Sequence, residues 1–290
     1  MACMDRAEVF TQHRPLLFSI AYRMLGTVMD AEDMAQETFL RWQSAADDDV
    51  QYPKAYLSTI ITRLCIDQLR SAQAQRETYI GPWLPEPLMT AEAPDSAALA
   101  ESLSLAFLRL LERLAPIERA VFLLREVFDY DYAEIGRMVE KSEDNCRQMV
   151  SRAKAHLAAH RPRFTPSREQ HFRILQRFGE AMTTGDVPGF ISLLTGDVIA
   201  YSDGGGKTPA ALNPIHGPQK IARYFFGVIQ KLPPNFSVQF GEANGLPVVI
   251  SYTNGTPYSV LALDLAEDGR VCAVYNLLNP DKLRTIPRSE

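Results

Sequence analysis

The chain is poor in cysteine, tryptophan and histidine, with 4, 2 and 5 of them among 290 residues. Cys3, Cys65, Cys146 and Cys272 stand far apart, without a Cys-x-x-Cys pair. That excludes a disulfide scaffold and the common zinc spacings, and fits small buried thiols in a reducing cytoplasm. No run of about 18 apolar residues occurs, so no membrane span is expected. The segment from Met1 to Arg6 leads into a polar helix without a signal-peptide core. Internal repeats and low-complexity tracts are missing. So is net positive charge: the formal value is −5. General attraction to nucleic-acid phosphates is therefore weak, and any such contact has to come from a local basic face.

What is present is 46% hydrophobic content, enough for two or three domains with real cores. The acidic surplus lies in residues 1–164, while 165–290 are balanced. Asp30, Glu32, Asp33 and Glu37 share one helical stretch, and Asp47, Asp48 and Asp49 follow it. Lys54, Arg63, Arg70 and Arg76 dominate 53–76. A positive and a negative face suit a protein that bridges nucleic acid and a protein partner.

Residues 116–157 carry the most informative pattern. Asp131 can cap a short helix, with Glu134 three residues on as in a capping box. After the polar break at Glu140, Lys141 and Ser142, the serine suits the N-cap of a second helix. On it Cys146, Met149, Val150, Ala153 and Leu157 form one apolar stripe. Two short helices and a tight turn match a helix-turn-helix, whose second helix enters the major groove. Arg147 and Gln148 can each make paired bonds to base edges. Arg152, Lys154, Arg161 and Arg163 follow without an acid and suit phosphates. An ordinary helical hairpin with a solvated basic face shares this spacing. Acids at the helix start, Glu143 and Asp144, repel phosphate, so base contact begins at Asn145 or Arg147.

Elsewhere, 7–76 read as helices. Asp30 is expected to cap a helix whose Ala31, Met34, Ala35, Thr38, Phe39 and Trp42 face inward. Pro53 suits the first turn of the next helix, with Tyr56, Ile60, Leu64 and Leu69 in the core and Thr62, Arg63, Gln68 and Arg70 more exposed. Residues 77–95 hold Gly81, Pro82, Pro85, Pro87 and Pro94, which exclude a regular helix. Trp83, Leu84, Leu88 and Met89 make this linker costly to leave in water, so it should dock. Helical periodicity resumes over 96–113. Beyond Pro162 to Pro166 two helices, a short strand over 198–201, a helix over 217–231 and four alternating strands predict an α+β domain. Its expected form is a curved antiparallel sheet over helices, with a pocket between.

Residues 30–42 and 53–70 resemble the core-polymerase-binding helix and the −10-reading helix of extracytoplasmic-function (ECF) sigma factors, and 116–157 is similar to their −35-reading domain. The order and spacing match over 7–160. Three shorter segments resemble signatures of the SigJ-like subgroup with a SnoaL-like extension. They are Trp83, Leu84, Pro85, Glu86, Pro87; Asp203, Gly204, Gly205, Gly206, Lys207; and Asn279, Pro280, Asp281, Lys282, Leu283.

The resemblance implies a multidomain chain: sigma domain 2 over 1–76, a Pro-rich linker over 77–95, sigma domain 4 over 96–162 and a SnoaL-like cone over 163–290. It implies a cytoplasmic, non-enzymatic initiation factor without cofactor or metal. Its partners would be core RNA polymerase and promoter DNA, duplex at −35 and melted at −10, with an unknown small ligand a further candidate for the C-terminal pocket. Glu32, Asp33, Gln36 and Glu37 become polymerase contacts. Arg63, Gln68 and Arg70 become −10 contacts. Asn145, Arg147, Gln148, Ser151, Arg152 and Lys154 become −35 contacts. Tyr52 or Tyr56 can stack on a flipped base beside the 47–52 loop.

In SnoaL-like relatives acids with Tyr or His move protons, and Tyr201, Asp203 and His216 are such residue types. A glycine-rich turn is a flexible place for a general base, however, and suits backbone pressed on a partner surface. The expected arrangement is therefore regulatory: 203–207 and 279–283 contact 83–87, with Lys207 pairing with Glu86. Two other functions fit the residues less well: a ligand-responsive helix-turn-helix regulator, and a pocket enzyme with a DNA-binding appendage.

Overall fold

The structure is a computed structural model that describes residues 6–45, 50–76, 78–89, 102–158 and 167–289. It divides into two units. One joins Met1–Glu77 to Leu108–Arg161, the other joins Thr78–Phe107 to Pro162–Glu290. The expected linker thus belongs with the C-terminal sheet. So do residues 102–107 of the segment assigned to sigma domain 4, while the helices of the two segments expected to be sigma domains otherwise fall in one unit.

In the first unit, α1 (Arg6–Leu25), α2 (Val28–Ser44) and α3 (Pro53–Arg76) pack together. Leu17, Ile20 and Met24 of α1 meet the Ala31, Ala35, Thr38 and Trp42 stripe of α2, all buried. Thr27, not Asp30, is the N-cap of α2: its hydroxyl accepts from the Asp30 amide at 3.3 Å, which leaves Asp30 as the third helical residue. The buried side of α3 is Leu57, Ser58, Ile61, Thr62, Cys65, Ile66 and Leu69. This corrects the sequence reading, which buried Tyr56 and exposed Thr62. The face is rotated because α3 packs on two sides, against α1 and against the helices that follow.

Those helices are α5 (Pro116–Glu126), α6 (Tyr132–Val139) and α7 (Glu143–Ala158), preceded by α4 (Leu105–Leu111), along which the chain passes between units. The capping box of Asp131 and Glu134 starts α6, and Ser142 Oγ accepts the Asn145 amide at 3.3 Å to start α7. Between them Glu140 adopts the left-handed conformation, at φ 56°. A Cβ on Gly136 would lie 2.6 Å from the Lys141 carbonyl oxygen, so this tight turn requires glycine there.

The two halves of this unit are tied by polar contacts. Ser58 and Tyr130 share a buried hydroxyl hydrogen bond of 2.7 Å. Arg119, on α5, donates to the Met24 carbonyl at 2.7 Å and pairs with Glu112 at 2.8 Å. Burial pulls its guanidinium well below the ordinary range, so those partners are needed to hold the charge.

The second unit contains α8 (Arg168–Thr184), α9 (Val187–Ser192), α10 (Pro218–Ile229) and a six-stranded sheet. The strands are β1 (Leu194–Asp203), β2 (Ile215–His216), β3 (Phe236–Ala243), β4 (Leu246–Thr253), β5 (Thr256–Leu265) and β6 (Val271–Leu277), in the order β2-β1-β6-β5-β4-β3. All pairings are antiparallel except β1 with β6, which is parallel and makes the sheet mixed. The long return from β1 to β6 sets that direction, since a crossover connection allows parallel pairing.

The sheet has two apolar faces. One packs against the helices, where Phe178, Phe190 and Phe225 fill the interior with ring centroids 4.7 to 6.3 Å apart. These rings occupy the space between sheet and helices where the sequence predicts a pocket. An open groove of about 590 Å³ lies beside Arg173, Arg177, Leu193 and Arg270. The other face is covered by Leu84, Leu105, Leu283 and Ile286.

Candidate promoter-binding helices and linker site

The linker site centres on Asp203 at the end of β1. Its side chain is fully buried, at 0% exposure. Oδ2 accepts the Leu84 amide at 2.9 Å and the Lys282 ammonium at 2.8 Å; Oδ1 accepts the Tyr79 hydroxyl at 2.5 Å. Lys282 Nζ also donates to the Leu84 carbonyl at 2.6 Å, so one linker residue is held at both backbone groups. The same ammonium lies 4.2 Å from the Trp83 ring centroid and 5.0 Å from that of Tyr79. Two aromatic faces thus replace part of the water that the buried cation loses. Burial and the Asp203 carboxylate push the Tyr79 phenol well above its ordinary range, which keeps it a donor.

The glycines beside Asp203 allow close approach. A Cβ on Gly205, at φ 58°, would come within 2.3 Å of Asn279 Nδ2. That amide donates to the Tyr79 oxygen at 2.9 Å. Lys207 pairs with Asp281 and not with Glu86, which accepts from Thr285 Oγ1 at 3.2 Å. The correction follows from chain placement: Asp281 opens the turn next to Asn279, while Glu86 is buried beneath the tail. Pro85 and Pro87 are buried with it.

A second clamp was not legible in the sequence. Asn244, left-handed at φ 57°, donates its amide to the Leu88 carbonyl and accepts from the Leu88 amide at 3.1 Å. Its Nδ2 reaches the Leu103 carbonyl at 2.9 Å. Met89 adds an antiparallel bridge to Ala243.

This geometry does not assemble the proton-moving set. Asp203 is used by linker and tail, and Tyr201 lies against Tyr275 at 5.7 Å. His216 is exposed and pairs with Ile199, roughly 13 Å up the strand from Asp203 at about 3.3 Å per residue.

On α7 the seam Cys146, Val150, Ala153 and Leu157 is buried. Asn145, Arg147, Gln148, Ser151, Arg152 and Lys154 are all exposed. Lys154 reaches back to Glu126 at 2.7 Å, and Arg147 is paired within its own helix. Arg161 and Arg163 lie outside the described residues. On α3, Arg70 pairs with Asp67 at 3.2 Å and Gln68 is half-buried. Arg63 bonds to the Met138 and Arg137 carbonyls of α6. Tyr52 is 74% exposed, while Tyr56 lies 5.8 Å from the Trp42 ring. Asp47, Asp48 and Asp49 lie outside the described residues.

On α2, Asp33 and Gln36 are exposed; Glu32 pairs with Arg14 and Glu37 with Arg41. Met29 and Leu40 are exposed on either side, at 50% and 52%. The spacing 29, 33, 36, 40 places them on one outward stripe. The sequence reading took only its polar part.

Residues 9–75 match the family Sigma-70 region 2, and 104–157 match Sigma-70, region 4. The chain is 38% identical over 300 residues to the ECF RNA polymerase sigma factor SigJ of Mycobacterium tuberculosis, covering 98% of this chain and 94% of that one. The chain belongs to the ECF RNA polymerase sigma factors. The probable ECF sigma factor SigI of the same species is 29% identical over 93% of this chain and 92% of its own length. The crystal structure of M. tuberculosis SigJ superimposes with a TM-score of 0.75 at 33% identity, over 95% of this chain and 97% of that chain.

This sigma factor accordingly binds core RNA polymerase and directs promoter-specific initiation of transcription. The family is not enzymatic. Among its described residues no helix is long and apolar enough to cross a membrane. Tyr79 and Asn244 are linker-site residues that sequence reasoning missed, as is Thr285, which donates to Glu86. Tyr79 lies just before the recognised pentapeptide, and Asn244 carried only the signal of a turn residue before Gly245.

Proposed function

We propose that this sigma factor grips the promoter with α7 at a duplex −35 element and with α3 at a melted −10 element, while the outward stripe of α2 contacts core polymerase. Exposure of Arg147, Gln148, Ser151 and Arg152 above a buried seam supports the first assignment. Exposure of Tyr52 beside α3 supports the second, since single-strand binders stack bases on free aromatic rings. Two exposed apolar residues around Asp33 and Gln36 support the third, because protein interfaces combine an apolar centre with a polar rim.

The fused C-terminal domain regulates this activity by holding the linker. One observation carries that reading: Asp203 and Lys282 together bind both backbone groups of Leu84, a residue fully buried between sheet and tail. The linker between two promoter grips is then fixed by residues 119 and 198 positions further along the chain.

The test is run-off transcription by reconstituted polymerase from a mapped promoter. Asp203→Asn and Trp83→Ala should change the initiation rate while the helical unit keeps its unfolding midpoint. Parent-like initiation by both variants overturns the regulatory reading. Gel shift with and without core enzyme tests the promoter reading, which requires weak binding until polymerase is added.

A further inference from the structure

Tyr132 opens α6 and lies where three helices meet. The Arg147 guanidinium, from α7, is 5.0 Å from its ring centroid, and that of Arg125, from α5, is 5.2 Å away. Arg125 is pinned by a 2.9 Å bond to the Tyr130 carbonyl and by Asp129 at 3.4 Å. Arg147 is held differently. Nη1 donates to Asp144 at 3.2 Å and Nη2 to Glu143 at 3.1 Å, both within its own helix. Those carboxylates are 87% and 49% exposed, so either bond exchanges easily for another acceptor.

The ring contact has another character. A guanidinium over an aromatic face is held through its own face, which leaves the in-plane N–H groups available. A guanidinium held this way can keep its plane while its edge changes partner. Paired bonds to guanine O6 and N7 require that: a planar fork presented edge-on at a set angle.

We propose that Tyr132 is a positioning residue of the −35 reader. Its ring orients the Arg147 guanidinium for a guanine edge, and Glu143 and Asp144 occupy the same N–H groups until DNA replaces them. This rests on the reading of α7 as the −35 helix.

The experiment uses the full chain bound to core polymerase and the promoter mapped by run-off transcription. Competition binding is measured with duplexes that carry each of the four bases at every −35 position. Arg147→Ala should flatten the preference at one position by about tenfold. Tyr132→Leu should weaken preference at that same position by about two- to fivefold and leave the others intact. Tyr132→Phe, which keeps the ring, should behave as the parent. A Tyr132→Leu protein with unchanged preference overturns the proposal. So does an equal loss at every position, or a Tyr132→Phe protein as impaired as Tyr132→Leu. If Arg147→Ala has no effect, the −35 reading itself fails and takes the proposal with it.

Discussion

Arg63 on α3 donates from Nε to the Met138 carbonyl at the end of α6, across 2.9 Å. Nη2 reaches the Arg137 carbonyl at 3.1 Å and the Glu140 carboxylate at 3.1 Å. The last carbonyls of a helix lack internal partners and carry its negative pole, so a guanidinium belongs there. The same side chain is 46% exposed and is also a candidate −10 contact. Arg63→Ala is expected to destabilise the helical unit by about 1.5–3 kcal/mol, the range for hydrogen bonds to a charged group. It should also lower the yield of open complexes. Urea unfolding measures the first effect and permanganate reactivity of promoter thymines the second. Glu140→Ala is the control, since its exposed pair contributes about 0–1 kcal/mol. If the Arg63→Ala midpoint matches that of the control, the tie is structurally idle.

Asp203 and Lys282 form an ion pair with side-chain exposures of 0% and 9%. Asp203→Asn leaves a buried ammonium without its counter-charge, and a loss of about 3–5 kcal/mol is expected. The double variant Asp203→Asn with Lys282→Gln removes both charges, keeps a hydrogen-bonding group at each position and should recover part of it. Trp83 fluorescence, in a Trp42→Phe background, follows this unit through urea unfolding. A double variant as unstable as the single one would show that geometry, not charge, holds the linker.

Two buried groups of the C-terminal unit titrate in opposite senses. Burial raises the Asp264 carboxyl to about 6 and lowers the His171 imidazole to about 4. For Asp264 the folded state favours the protonated form, so its contribution to stability falls as pH rises from about 4 to 6. For His171 the folded state favours the neutral form, so its contribution falls as pH drops from about 6.5 to 4. The two slopes largely cancel. His171→Leu should therefore gain stability relative to the parent on acidification through that window, and Asp264→Asn should gain relative to the parent as pH rises from 4 to 6. Each effect is expected to reach a few kcal/mol at most, since a tenfold change in proton affinity corresponds to about 1.4 kcal/mol. Melting temperatures at half-unit pH steps decide it, and profiles parallel to that of the parent reject the assignment.

Tyr52 and Tyr56 should separate function from structure. Tyr52→Ala removes an exposed ring and is expected to weaken binding of a non-template −10 oligonucleotide by the holoenzyme by about 1–3 kcal/mol, without a change in stability. Tyr56→Ala removes a ring packed near Trp42 and should cost about 0.5–1.5 kcal/mol of stability. Fluorescence anisotropy and thermal melts provide both readouts. Equal binding by Tyr52→Ala and the parent excludes Tyr52 as the stacking residue.

Local signals were readable in the sequence, and long-range ones were not. The Asp131 and Ser142 caps, the seam of α7 and the apolar linker follow from neighbours within a few residues, and the structure places each as expected. The rotated face of α3 escaped because its second packing partner comes some 60 residues later. The parallel β1–β6 pair escaped for a related reason: alternation reveals a strand but not the direction of its neighbour. In the linker site the three signature segments touch one another. Tyr79 and Asn244 act through partners more than 120 residues away, and periodicity carries no record of such contacts. The expected pairing of Lys207 with Glu86 fails because Asp281, brought close only by the fold, takes the ammonium.

The tail residue that binds Leu84 lies 198 positions further along the chain. Ribosomes add about 5–20 residues per second, so roughly 10–40 s separate the appearance of the linker from that of Lys282. During that interval Asp203 and Asn244 emerge and can take hold of Leu84 and Leu88, while the Leu84 carbonyl still waits for its ammonium. Each molecule thus passes through a half-clamped state and completes the clamp only after Lys282 has emerged. A chain cut before Asn279, by a nonsense codon or by proteolysis, stays in that half-clamped state.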